Sequence, residues 1–302
     1  MSRILTVAAA QMGPIARDEP RTDVVERLLV LLRHAAERGA QLVVFPELTL
    51  TTFFPRWDLA DDELLTFYES SMPGPETQPL FDEATRLGVG FVLGYAELTP
   101  DDHRYNTSVL VERDGTIVGS YRKVHLPGHE EPEPWREFQH LERRYFEPGP
   151  EGFGVHHAFG GVIGLAICND RRWPETYRVL GLLGAELVAI GYNTPVHYPP
   201  DPGQDRLAGF HNNLVMASGA YQNGTWVVGV AKGGREEGVD LLAESQIIAP
   251  SGEVVAKCLT AGDEVVVAEC DLDAGAAYRD TLFDFARYRR PDLYGLITRP
   301  HD

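Results

Sequence analysis

The 302-residue chain predicts one mixed α/β domain, of α+β layering, in which helices lie over sheets. Three observations predict it. Apolar residues make up 43% of the chain and charged residues 24%, the balance of a protein that buries a core. Short apolar runs of strand length outnumber segments of helical periodicity, and two helical segments follow early strands. No internal repeat and no linker interrupts the pattern, so residues 1–302 read as a single domain.

The elements follow in order. Ile4–Gln11 reads as a buried strand and not as the apolar part of a secretion signal, since only Arg3 precedes it. Residues 22–38 carry apolar side chains at helical spacing and stop at Gly39. Gln41–Phe45 is a continuous apolar strand that ends at Pro46-Glu47. Residues 75–87 form a second amphipathic helix closed by Gly88, and residues 89–98 a strand. Residues 105–112 and 116–122 form a hairpin around Asp114-Gly115. Residues 124–152 have no regular pattern, and a loop that long inside a compact chain is usually functional. Strands near 153–159 and 162–167 lead to Cys168, and Pro174 opens a helix that runs to Leu183. Beyond it, residues 186–191, 225–231, 245–249, 253–257 and 264–271 read as strands, and residues 204–222 and 272–281 as helices.

Charge narrows the function. There are 27 Lys and Arg against 45 Asp and Glu, a formal charge of −18 that repels nucleic acid and an anionic membrane surface. No apolar run is long enough to span a bilayer. Three cysteines without CxxC spacing fit a reducing, cytoplasmic compartment better than a disulfide framework. In such a compartment the sequons at Asn106 and Asn223 carry no meaning.

The richest stretch is Ile167-Cys168-Asn169-Asp170-Arg171-Arg172-Trp173-Pro174-Glu175. A buried strand delivers a cysteine to a tight turn whose N–H groups suit an oxyanion. A helix start and nearby arginines are expected to lower the thiol pKa. Alone, Cys168 is more readily a core cysteine. Two further strand ends change that balance: Glu47 after Phe45-Pro46, where partial burial suits a general base, and Lys123 after Tyr121-Arg122, where a buried ammonium can hold an oxyanion. Arg171 and Arg172 suit a carboxylate on the substrate, unless one of them pairs with Asp170 or Glu175.

Phe45-Pro46-Glu47, Tyr121-Arg122-Lys123-Val124-His125-Leu126 and Cys168-Asn169-Asp170-x-Arg172-x-Pro174-Glu175 resemble, in order, the three signatures of the nitrilase superfamily of carbon–nitrogen hydrolases. Segments at 51–57, 125–129, 138–149, 169–176, 191–195 and 221–224 further resemble its branch that hydrolyses N-carbamoyl-D-amino acids. The resemblance implies a four-layer αββα sandwich on dimerisation, no cofactor and no metal, and a homodimer or homotetramer. It implies catalytic Cys168, Glu47 and Lys123, with Glu142 holding the lysine. It also implies substrate contacts from His125, His140, Asn169, Arg171, Arg172, Asn193 and Thr194, with His211 as a further family histidine. The substrate so implied is a small N-carbamoyl amino acid, cleaved to the D-amino acid, ammonia and carbon dioxide. Residues 199–209 and 233–246 depart from that pattern.

Rival readings are a β-ureidopropionase-like enzyme or aliphatic amidase of the same superfamily, a non-catalytic ureido-acid-binding member, and a metallohydrolase built on His125, His129, His140, His156 and His157. No HExxH, GxSxG or GxxxxGK[ST] pattern accompanies them.

Overall fold

The computed structural model describes residues 2–299. Its first half runs β1 (Ile4–Gln11), α1 (Arg21–Glu37), β2 (Leu42–Val44), β3 (Tyr68–Glu69), α2 (Gln78–Leu87), β4 (Gly90–Leu98), β5 (Arg104–Val111) and β6 (Ile117–Arg122). After a long irregular stretch come β7 (Val155–Ala158), β8 (Gly161–Ile167), α3 (Pro174–Leu182), β9 (Leu187–Tyr192), α4 (Ala208–Asn223) and β10 (Trp226–Ala231). The hairpin β11 (Gly233–Glu236) and β12 (Val239–Leu242) follows, then β13 (Gln246–Ile248), β14 (Val254–Lys257) and β15 (Glu264–Asp271).

The strands form two large sheets. The first has the order β15-β1-β2-β4-β5-β6, with β3 also paired to β4; the second has the order β14-β13-β10-β9-β8-β7. The period-2 alternation of each strand decides how the layers meet. In β1, Leu5, Val7 and Ala9 join a core with Ile163, Leu165 and Val228 of the second sheet. Ala8 and Ala10, on the opposite face, pack with Val24, Leu28 and Leu32 of α1 and Leu80, Phe81 and Ala84 of α2. Tyr177 and Leu180 of α3 and Met216 and Ala220 of α4 cover the second sheet. The αββα layering is therefore complete within one chain, and a second copy is not needed to build it.

Glycine closes the early helices as expected, with Gly39 and Gly88 left-handed at φ of 81° and 67°. Other expectations need correction. Residues 272–281 do not form a regular helix: Ala274 and Ala276 close tight turns, Asp273 is drawn to Arg3, and only a five-residue π-helical turn, Tyr278–Leu282, follows. Pro202–Leu207 is a 3₁₀ turn, so α4 begins at Ala208. The segment 233–246 contains a β-hairpin not anticipated from its sequence. No helix among the described residues is long and apolar enough to cross a membrane.

Candidate active site

Three strand ends and one turn of the long irregular stretch bring their side chains together between the two sheets. Pro46-Glu47 follows β2, and its backbone lies between two glycines of different sheets. A Cβ on Gly94 of β4 would come within 2.7 Å of the Pro46 carbonyl oxygen, and one on Gly191 of β9 within 2.6 Å of the Glu47 nitrogen. Neither position admits a side chain without moving the loop. Cys168 follows β8 and opens the 3₁₀ turn Cys168–Arg172 at φ 46°. Left-handed backbone in a residue with a Cβ is strained, and such strain gathers at functional sites. Lys123 follows β6, its N–H donating to the Asn106 carbonyl at 2.9 Å. Glu142 starts a short helical turn, Glu142–Tyr145, within the irregular stretch.

Their side chains form one buried network. Lys123 is fully buried, and its Nζ donates to Glu47 Oε1 at 2.7 Å and to Glu142 Oε2 at 2.5 Å. Burial alone would lower the lysine pKa, but the charges of Glu142 and Glu47 hold it well above the ordinary ammonium range. Burial likewise opposes ionisation of Glu142, yet Lys123 and His140 hold its carboxyl below the usual range. Glu47 is 1% exposed. Its Oε1 also accepts from Asn106 Nδ2 at 2.8 Å, and its Oε2 accepts the Asn193 N–H at 2.8 Å. A carboxylate has about four acceptor positions, so one on Oε2 is left open.

Cys168 is 4% exposed, with its thiol toward the Asn193 carbonyl at 3.6 Å. The expectation of a lowered thiol pKa is reversed. Burial and the Glu47 charge push it up, outweighing Lys123 and Arg171. A thiol whose ionisation is opposed in this way needs a base.

Arg171 and Arg172 divide. Arg171 is buried, and its guanidinium donates to Asn212 Oδ1 at 2.9 Å, the Cys168 carbonyl at 2.7 Å and Thr194 Oγ1 at 2.7 Å. It also stacks 4.3 Å over Tyr192. Most of its donors are spent on the protein, through neutral groups and not through Asp170 or Glu175. Arg172 is exposed, bonds only the Asn169 side chain at 3.2 Å, and has no carboxylate partner among the described residues.

Cys168 opens into a cleft of about 680 Å³ whose lining includes His140, Asn169, Arg171, Arg172, Asn193, Thr194 and His211. Glu47, Lys123 and Glu142 are buried and are not among its lining residues. His125, expected at the substrate, is not part of this lining. Its Nδ1 sits 2.9 Å from Asp170 Oδ1 and its ring stacks on Trp173, so it holds Asp170 in place. Asp170 also accepts from Tyr121 Oη and the Ile167 N–H. The histidines proposed for a metal centre make separate contacts: His129 with Gln139, His140 with Glu142, and His156 against Gly119. Among the described residues no group of three or more His, Cys, Asp or Glu could hold a metal.

The sequence reading missed Asn106, Asn212, Gly94 and Gly191. The first was visible only as a sequon. Asn106 and Asn223 are 0% and 2% exposed, so neither can carry a glycan in the folded chain.

Residues 6–280 match the carbon–nitrogen hydrolase family. A nitrilase from Pyrococcus abyssi is 32% identical over 96% of this chain and 99% of its own. An N-carbamoylputrescine amidase from Solanum lycopersicum is 32% identical over 98% of this chain and 95% of its own. The crystal structure of a carbon–nitrogen hydrolase from Helicobacter pylori G27 superposes with a TM-score of 0.86 at 22% identity, covering 99% of both chains.

Proposed function

We propose, from the premise that this chain belongs to the carbon–nitrogen hydrolase family, that it hydrolyses N-carbamoyl-D-amino acids through a covalent intermediate on Cys168. Amidohydrolysis of a carbon–nitrogen bond is the activity of the nitrilase superfamily to which the chain belongs; the substrate is the finer reading. The observation that carries it is the charge of the cleft. Arg172 faces the cleft with no acidic partner, and His129, His140, His197 and His211 line the same space. Glu133 is the only carboxylate among the described lining residues, and its charge is taken by Arg136. A substrate bearing a carboxylate meets a free guanidinium there. A carbamoylated amine ending in an ammonium, the second reading favoured by the tomato relative, meets no free carboxylate. The D configuration rests on the resemblance of the quoted segments to that branch of the superfamily.

The groups dictate the steps. The Cys168 proton moves to the open position on Glu47 Oε2 as sulfur attacks the ureido carbon. Lys123 and the N–H groups of the Cys168 turn stabilise the oxyanion. The tetrahedral adduct collapses by breaking the bond to the terminal nitrogen, which leaves as ammonia with the proton from Glu47. A water then gives a proton to Glu47 and attacks the thioester-like carbonyl, and the proton returns to sulfur as the C–S bond breaks. The released N-carboxy amino acid loses carbon dioxide to give the free amino acid.

An ammonia-release screen over D- and L-N-carbamoyl amino acids, N-carbamoyl-β-alanine and N-carbamoylputrescine tests this, with Cys168→Ala as control. Release from the D-compounds, absent in the control, is expected. Release from L-compounds or the polyamine alone would overturn the substrate while leaving the chemistry.

A further inference from the structure

Asn106 stands on β5, opposite Ala96 of β4, and is wholly buried. Its side chain makes one hydrogen bond, from Nδ2 to Glu47 Oε1 at 2.8 Å. Its Oδ1 is buried without a partner. Its link to Lys123 runs through the backbone carbonyl and does not need the side chain. A leucine has the same branched shape and would leave no orphaned acceptor, so packing alone gives no reason for an amide here. What the amide does that a leucine cannot is hold the carboxylate.

We infer that Asn106 is a positioning residue of the reaction: its amide, with Lys123, occupies Oε1 of Glu47 and leaves Oε2 as the oxygen facing the proton of Cys168. The inference rests on the reading that Glu47 takes the thiol proton. Because the Asn106 side chain hydrogen-bonds no other group among the described residues, the chemical effect of replacing it passes through Glu47. The carboxylate without this donor can rotate or draw water, and the open position no longer points at sulfur.

The full chain is tested as wild type, Asn106→Leu, Asn106→Asp and Glu47→Gln. Steady-state kinetics are combined with the rate at which iodoacetamide alkylates Cys168, followed on the Cys168 peptide. The alkylation needs no substrate, so it is independent of substrate choice. Glu47→Gln is expected to slow alkylation at pH 7, because the thiol then has no base to take its proton, and this outweighs the loss of the carboxylate charge that opposes its ionisation. Asn106→Leu is expected to slow it too and to lower kcat about 10- to 100-fold, the worth of one hydrogen bond to a charged group. KM should stay within about threefold and the melting temperature within about 3 °C. Wild-type kcat in Asn106→Leu, or a kcat loss matched by a falling melting temperature with alkylation unchanged, would overturn the inference. Should Asn106→Leu fail to fold, Asn106→Asp decides. The carboxyl that this variant introduces can, while protonated, give its one O–H to Glu47, so turnover should persist on the acid side and fall once the pair loses its shared proton. An Asn106→Asp enzyme with the wild-type alkaline limb would contradict it. If Glu47→Gln leaves alkylation unchanged, the base reading fails and this inference fails with it; if only Asn106→Leu does, the base reading survives.

Discussion

Lys123→Met removes the cation between two buried carboxylates, and its cost can be worked from the structure. Lys123, Glu47 and Glu142 are 0%, 1% and 0% exposed. Breaking a buried pair by deleting one partner costs about 3–5 kcal/mol, because the other charge stays behind without water. A chain of 302 residues has an unfolding entropy of about 0.6 kcal/mol per kelvin, so the loss lowers the melting temperature by about 5–8 °C at pH 7. The pH dependence has a definite sign. In the wild type the Glu142 carboxyl is held below its ordinary range, so its contribution is present above the unfolded pKa, about 4.3, and is lost as pH falls through the folded value. In the variant the two carboxylates cannot both stay ionised, and one takes a proton at a raised pKa. That stability is present below the unfolded pKa and is lost as pH rises through the raised one. Both effects narrow the gap as pH falls from 7 toward 5. Thermal melts and urea titrations of both proteins at the two pH values measure it. Equal stability at pH 7, or a gap that widens on acidification, would refute the charged triad as drawn here.

Arg172→Ala should raise KM for an N-carbamoyl amino acid about 10- to 100-fold while leaving turnover of a neutral primary amide within about threefold, read by parallel kinetics on the two substrates. Gly191→Ala places a methyl 2.6 Å from the Glu47 nitrogen. It should cost about 1–3 kcal/mol in urea unfolding and displace the Glu47 loop enough to cut kcat about 100-fold. Burial and Glu47 raise the Cys168 thiol pKa in the folded chain, so the stability of the protonated thiol is present below its unfolded pKa, about 8.5, and is lost as pH rises through the folded value. The melting temperature of the wild type minus that of Cys168→Ala should therefore fall between pH 8 and pH 10.

Much of this was legible in the sequence where one residue type had one reason to be there. The apolar run ending at Glu47 and the strand ending at Cys168 announced their loops, because a strand with both faces buried must stop where polar side chains begin. Gly39 and Gly88 marked helix ends because a left-handed C-cap favours glycine. What was not legible depends on contacts far apart in sequence. Arg171 reads like Arg172, yet one is consumed by Asn212 and Thr194 while the other meets only the Asn169 side chain. Gly94 sits among other glycines, and only the approach of Glu47 from another loop explains it. The Cys168 pKa went the opposite way from expectation because burial depth and a facing carboxylate outweighed the nearby cations.

The central claim is that Cys168 carries the substrate during turnover. Rapid acid quench of the enzyme with an N-carbamoyl-D-amino acid, followed by peptide mass spectrometry, tests it most directly. The account predicts an adduct of the substrate less ammonia on the Cys168 peptide, formed before free amino acid appears and missing in Cys168→Ala. Turnover with no adduct on that peptide, or activity retained by Cys168→Ala, would contradict it.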